Sequence, residues 1–248
     1  LIALQDFPLI EPGDDLSKII LNSINNNNNN IDDNDVLVIA QKIVSKSENR
    51  YVDLEKVKIS EEAKKLSLEL EKDERLVQLI MNESNKIIST NKNVIIVEHK
   101  LGLININAGI DLSNISQTKN QALLLPENPS KSAKKIQENL SKMLNKNISV
   151  IITDSMTRPY RYGIINFALA SYNIQSLIDL KGEKDLYENK LKGTEVAVSD
   201  ELASAAGLLM GQGSEGLPVI LIKGFDKNKY TINDACDLIV NERDDLYR

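Results

Sequence analysis

The chain has 248 residues, 42% of them apolar and 27% charged, which is enough to bury an ordinary globular core. Its net charge of -6 excludes a general attraction for nucleic acid or anionic lipid, so any polyanion must be met locally, with metal assistance. The single cysteine, Cys236, and single histidine, His99, exclude an intrachain disulfide and a Cys or His zinc cluster, and argue against a Ser-His-Asp mechanism.

Chemistry is therefore expected from carboxylates, amides, hydroxyls, lysines and arginines. No apolar run approaches the roughly 20 residues of a membrane span. The opening "LIALQDFPLI" lacks a basic n-region and contains Asp6, so it does not read as a secretory signal. A reducing, cytoplasmic setting without nucleic-acid or membrane partners is the expectation.

In chain order, a loop with a Gly13 turn leads to a helix entered at Asp14 or Asp15, with Leu16, Ile19, Ile20 and Ile24 as its apolar stripe. Asn25 to Asn30, residues 25–30, have no apolar face and read as a low-complexity surface loop. "DVLVIA" predicts a strand at Val36–Ala40, followed by a polar turn carrying Lys42, Lys46 and Arg50. Two helices are predicted next, capped near Ser60 and Asp73. "VIIVEH" and "LGLININAG" predict two strands joined at Lys100–Gly102. Pro129 opens a helix with Ala133, Ile136, Leu140 and Met143 or Leu144 on one side. "ISVIITDS" predicts a strand and "GIINFALASYNIQSLID" a mixed strand-to-helix segment. "TEVAVSDELASAAGLLMGQGSEGLPVILIKG" predicts strand, helix, glycine-rich turn and strand. "NDACDLIV" reads as a helix that packs Cys236 inside. Strands and helices intermix without a regular βαβ rhythm or an internal repeat. The expected class is α+β, one unit over residues 1–248 with room for two interleaved subdomains of unknown boundary.

Asp154 and Ser155 close the apolar run "VIITDS", and their oxygens suit Mg²⁺ or Mn²⁺; alone, the same pair could simply cap a loop. Asp111 follows another strand and Gly109, a residue that lets backbone come close. Two acids at two strand ends can share a metal pair. "MGQGSEG", Met210 to Gly216, can aim backbone N–H groups at phosphate, or merely end a helix. Neither GxxxxGK[ST] nor a helix-opening GxGxxG occurs. Arg158 and Arg161 in "TRPYRYG" lie close enough in sequence to clamp one anionic ligand. His99 reads as a packed or surface imidazole.

Taken together, "PLIEPGDDL", "IVSKSENR", "INAGIDLSN", "VIITDSMTRPYRYG", "KDLYENKL" and "SAAGLLMGQGSEGLP" resemble the archaeal coenzyme F420 gamma-glutamyl ligases, from Pro8 to about Lys223. The resemblance implies an unusual α+β fold that is not P-loop, Rossmann or ATP-grasp, assembled as an intertwined homodimer. It implies ligation of L-glutamate to coenzyme F420-0, and further to F420-1, with GTP as co-substrate, divalent Mn or Mg, and a monovalent cation, K⁺. By position, Asp111 and Asp154 would hold one metal and Ser155 with Gln212 the second, while Asp111, Asp154 and Lys46 would carry catalysis. The nucleotide would be contacted by Phe7, Pro8, Leu9 and Ile10, by Gln41, Lys42 and Lys46, and by Asn114. The turn Met210, Gly211, Gln212, Gly213, Ser214, Glu215, Gly216 and Leu217 would complete that site. Arg158 and Arg161 are assigned to the carboxylates of glutamate or the coenzyme phosphodiester. Two other readings stay open: a non-catalytic nucleotide- or metal-binding module, and a metal-dependent phosphohydrolase.

Overall fold

Val36 to Ile39 and Val150 to Ile152 are fully buried runs of branched residues, the composition of strands covered on both faces. In the computed structural model, which describes residues 1–115, 120–226 and 231–246, they form the middle of the main sheet. The strands are β1 (Ile2–Ala3), β2 (Val36–Ala40), β3 (Tyr51–Asp53), β4 (Ser84–Asn91), β5 (Val94–His99), β6 (Ile104–Ile106), β7 (Gln121–Leu123), β8 (Ser149–Arg158), β9 (Arg161–Tyr172), β10 (Leu177–Asp179), β11 (Glu195–Ala197) and β12 (Val219–Ile222). The helices are α1 (Leu16–Asn26), α2 (Gln41–Ser47), α3 (Glu61–Leu70), α4 (Glu74–Asn82), α5 (Pro129–Leu144) and α6 (Val198–Met210).

The main sheet has the order β1-β12-β2-β8-β9, antiparallel throughout except for the β2–β8 pair. Period-two alternation sends Leu37, Ile39, Val150 and Ile152 to one face, where α1 and α5 bring Leu16, Ile20, Ile24, Ile136 and Leu140. Val36, Val38, Ile151 and Ile220 face the other way, onto Ala203, Ala206 and Met210 of α6. A separate cluster packs Ala63, Leu70, Val77 and Ile80 of α3 and α4 on Ile95 and Val97 of β5, in the small β4-β5-β6 sheet. The class is α+β, as the intermixed pattern predicts. No helix among the described residues is long and apolar enough to cross a membrane.

Local chemistry explains the helix starts. Asp15, Ser60, Asp73 and Asn128 are N-caps whose side chains accept backbone N–H groups, and Pro129 occupies the first turn of α5.

Elsewhere the structure corrects the sequence reading. The predicted polar turn after β2 is α2, because Ile43 and Val44 are buried against the main core. The predicted strand-to-helix segment is strand only, β9 and then β10. Its alanines favour helix intrinsically, but α5 and α6 cover both faces of β9 and tertiary packing decides. β4 lies in a stretch with no predicted strand. β8 runs on to Arg158, so Asp154 lies within the strand rather than at its end. Cys236 is exposed on a 3-10 turn, Ala235–Leu238, and it is Ala235 that is buried.

The asparagine tract is also more than a spacer. Asn25 and Asn26 finish α1, and Asn27 clamps the N-terminal segment: its Oδ1 accepts Gln5 N–H at 2.9 Å, and its Nδ2 donates to Gln5 O at 3.2 Å and Ser23 O at 2.8 Å. Asn27→Ala is expected to cost about 1 kcal/mol or somewhat more. The exposed Asn25→Ser should stay within about 0.5 kcal/mol of the parent. Urea unfolding of the two variants checks the contrast.

Candidate active site

The parallel pair places the site. Ala40 pairs with Thr153, so the end of β2 delivers α2 beside Asp154 in the middle of β8. Helix α2 starts with no intervening loop, and its four-residue spacing sets Gln41 with Ser45 and Lys42 with Lys46 on neighbouring stripes. Just before Asp154, β9 carries one extra residue, Leu169, between the partners of Ile152 and Thr153. Such bulges re-aim side chains beside functional sites. Asp154 Oδ1 accepts Ser155 N–H at 2.8 Å.

Asp111 arrives by a different route. After β6 the chain makes a left-handed turn at Asn107, Ala108 and Gly109, with φ of 52°, 55° and 64°. Holding Ala108 there costs roughly 1–2 kcal/mol. A Cβ on Gly109 would meet Leu125 Cδ1 at 3.0 Å, so the close approach favours glycine. Asp111 then exchanges both backbone hydrogen bonds with Leu123, each 2.9 Å, which fixes where its side chain begins.

The carboxylate of Asp111 meets α2. Gln41 Nε2 donates to Oδ2 at 2.7 Å, and Lys42 Nζ lies 3.1 Å from Oδ1. Ser45 Oγ donates to Gln41 Oε1 at 2.9 Å and so sets the orientation of that amide. Lys42 also donates to Ser113 O at 3.2 Å. Burial raises the pKa of Asp111, opposed by Lys42, Gln41 and Lys46. Burial, and then the charge of Asp111, pushes Asp154 up to about 7, only partly relieved by Ser155 N–H, Lys42 and Gln41. Lys46 is half-buried; desolvation and then Lys42 lower its pKa, while Glu11 and Asp111 pull it back.

The glycine-rich turn completes the wall. Gly211 follows α6 at φ +72°, and a Cβ there would fall 2.2 Å from Glu215 Cδ, so Glu215 can fold over the turn and accept Gly213 N–H at 2.8 Å. Asn114 Nδ2 donates to Gly213 O at 2.8 Å, tying the Asp111 loop to the turn. Gln212 Nε2 donates to Asn166 Oδ1 at 2.8 Å, and Asn166 pairs with Ser155 across β8 and β9. The turn is thus registered to Asp154 and Ser155.

Together these elements enclose a cleft of about 1090 Å³. Every residue assigned above to the nucleotide or to metal lines it, from Phe7–Ile10 and α2 through Asp111, Asn114, Asp154 and Ser155 to Met210–Leu217. A smaller cavity of about 240 Å³ lies against the same two aspartates. Arg158 and Arg161 line neither, being on the β8–β9 hairpin, so their assignment as substrate clamps finds no support within one chain. His99 lies outside both cavities; it is buried, its Nδ1 accepts Leu101 N–H, and desolvation lowers its pKa to about 4. Sequence reasoning missed Ser45 and Asn166. The Gln41–Ser45 and Lys42–Lys46 spacings could have revealed α2, whereas nothing local marks Asn166.

The donor set fits a hard divalent cation. No cluster of three or more His, Cys, Asp or Glu occurs among the described residues, so the protein offers no complete cage. Mg²⁺ and similar ions are commonly held by one or two carboxylates and complete their shell with water and phosphate. Asp111 and Asp154 fit that pattern, Ser155 adds a hydroxyl, and Gln212, its N–H used on Asn166, offers its amide oxygen.

The same geometry predicts a pH dependence. In cation-free protein, folding raises Asp154 from 3.8 to about 7, so the native state holds a proton that the unfolded chain has released. That contribution to stability is full below about 3.8 and is lost as pH rises through about 7, with Asp111 acting in the same direction. In chelator, Tm should fall as pH rises across this window, and Asp154→Asn should flatten the slope. Scanning calorimetry at several pH values checks it; equal slopes would contradict it.

Comparison with known proteins gives a consistent result. A family model described as F420-0:Gamma-glutamyl ligase matches residues 5–224. The coenzyme F420:L-glutamate ligase of Methanocaldococcus jannaschii is 41% identical over 218 residues, spanning 88% of this chain and 86% of the relative. That of Methanothermobacter thermautotrophicus is 40% identical over 225 residues, spanning 91% and 88%. That of Methanococcus maripaludis is 38% identical over 245 residues, spanning 98% and 95%. Because the matched span runs through both aspartates, α2 and the glycine-rich turn, the chain belongs to the F420-0:gamma-glutamyl ligase family.

Proposed function

We propose that this chain is an amide-bond-forming ligase that joins L-glutamate to the free carboxylate of coenzyme F420-0, and then of F420-1, with GTP converted to GDP and phosphate. Family membership supports the glutamylation, and one observation carries the chemistry: two half-buried aspartates and two lysines share a single large cleft.

A carboxylate is a poor electrophile and must be activated. Its oxygen attacks the γ-phosphorus of GTP, the bond to GDP breaks, and an acyl phosphate forms. The amine nitrogen of glutamate then attacks the acyl carbon, the phosphate leaves with the C–O electrons, and the nitrogen loses a proton. Catalysis of such transfers rests on positioning and charge. Lys42 and Lys46 would meet phosphate oxygens from α2. The turn amides would do so from the opposite wall, and the Gly213 N–H already accommodates an anionic oxygen in Glu215. Divalent Mn²⁺ or Mg²⁺, held by Asp111, Asp154, Ser155 and Gln212, would add Lewis-acid charge at the phosphoryl oxygens, with K⁺ as an accessory cation. Asp111→Asn and Asp154→Asn should each lower GTP-dependent glutamylation at least about a hundredfold, with circular dichroism unchanged. Lys46→Met should slow turnover in the same assay. GDP release without glutamate would favour a phosphohydrolase, and no GDP release under any condition a non-catalytic module.

We also propose a homodimer. Tyr160 and Tyr162 on the β8–β9 hairpin are 95% and 104% exposed, and Leu186 and Tyr187 project from the β10–β11 connection. Large exposed side chains of this kind, on two projecting segments, suit a contact surface. Replacing Tyr160 and Tyr162 by Ser should shift the assembly to monomer in light scattering.

A further inference from the structure

The cleft wall beside Asp154 and Ser155 also contains two amides and a threonine hydroxyl: Thr153, Asn166 and Gln212 all line it. Asn166 is 5% exposed and lies on β9, where it pairs with Ser155 of β8. Helix α6 passes close over it. A Cβ on Gly207 would fall 2.5 Å from Asn166 Oδ1, and Ser204 Oγ donates to Asn166 O at 2.7 Å. The side chain is thus held between β8 and α6, with a polar partner at each end of its amide.

Those partners give the amide one direction. Thr153 Oγ1 spends its single proton on a carbonyl, Phe167 O at 2.8 Å with Asp154 O at 3.4 Å, so toward Asn166 it can only accept. Asn166 Nδ2 donates to it at 3.3 Å, and Met210 Sδ, a weak acceptor, lies 4.0 Å from the same nitrogen. Asn166 Oδ1 is left facing the other way, where Gln212 Nε2 donates to it at 2.8 Å. Turning either amide over would set nitrogen against nitrogen or oxygen against oxygen and forfeit a bond to a buried group. Gln212 Oε1, at the free end of this chain, accepts no hydrogen bond among the described residues.

We infer that Asn166 is the positioning residue for Gln212: it engages the amide nitrogen so that only the oxygen is offered to a hard divalent cation. The inference rests on the metal reading above and adds the device that lets a neutral glutamine serve as a ligand. A carboxylate presents an oxygen whichever way it turns, whereas an amide has one end that donates and one that accepts. Partners that never touch the ion but orient its ligands set the affinity of such sites.

Mn²⁺ titrations of the full chain, with free ion read by electron paramagnetic resonance, test this without a turnover step. Gln212→Ala marks which Mn²⁺ Kd belongs to this ligand. Asn166→Ala should raise that Kd about tenfold, with circular dichroism unchanged. Thr153→Val, which keeps the volume but removes the oxygen that fixes Asn166, should raise it by less. Gln212→Glu supplies a ligand with an oxygen at both ends, so adding Asn166→Ala to it should not raise the Kd further. An unchanged Kd in Asn166→Ala overturns the inference, and so does an equal rise in the Gln212→Glu background, which would mark Asn166 as packing alone. If Asn166→Ala does not fold, an unchanged Kd in Thr153→Val overturns it. If Gln212→Ala shifts no Mn²⁺ Kd, Gln212 is not a ligand and the inference falls with that assignment, while the glutamylation assay still decides the ligase reading separately.

Discussion

Two carboxylates share a buried space in which Lys42 is the cation in direct contact with Asp111, while Asp154 makes no ion pair among the described residues. The rest of the site follows from this imbalance. Burial and mutual repulsion hold protons on these acids more tightly than in water. The neighbouring groups are arranged to ease the charge without cancelling it: an amide from Gln41, an N–H from Ser155, a second lysine one helical turn on. A structural ion pair would have been balanced more fully. Here Lys42 pairs with Asp111 alone, and Asp154 is left to its own burial and the N–H of Ser155.

Holding two like charges together requires a stiff frame, and the frame is made of unrelated pieces. Asp154 sits within a ten-residue strand beside a bulge, and Asp111 sits between a left-handed turn and a two-hydrogen-bond clamp to Leu123. Ala108 in the left-handed region is a local cost that surrounding packing sustains. Asn114 and Gln212 then join the segments carrying the aspartates to the glycine-rich turn, so hydrogen bonds tie together cleft walls from distant parts of the chain.

Much of this was legible in the sequence, for identifiable reasons. Caps at Asp15, Ser60 and Asp73, and Pro129 at the start of α5, are local chemistry and were readable. So were the fully apolar strands, and so was Gly109, whose lack of a side chain matters for the approach of Leu125. Motif order brought Asp111 and Asp154 together across forty-odd residues that no periodicity connects. What was not legible was decided by packing. The α2 segment is short and polar on its cleft side, so it read as a turn. The alanines of β9 read partly as helix because the covering helices were unknown. Asn166 escaped notice because its partners, Gln212 and Thr153, meet only in the folded sheet. The hairpin arginines were grouped by their closeness in sequence, and within one chain they line neither cavity.

The parallel β2–β8 pairing has one more effect, on assembly of the molecule. Ala40 and Thr153 are partners across 113 positions of chain, and the last wall of the cleft comes later still, from Met210 onward. Closing so long a loop carries an entropic penalty that only non-local contacts offset, and such contacts form slowly. No early fragment contains a working half of the pocket. The pocket's walls can therefore come together only once the chain as far as Met210–Pro218 is present.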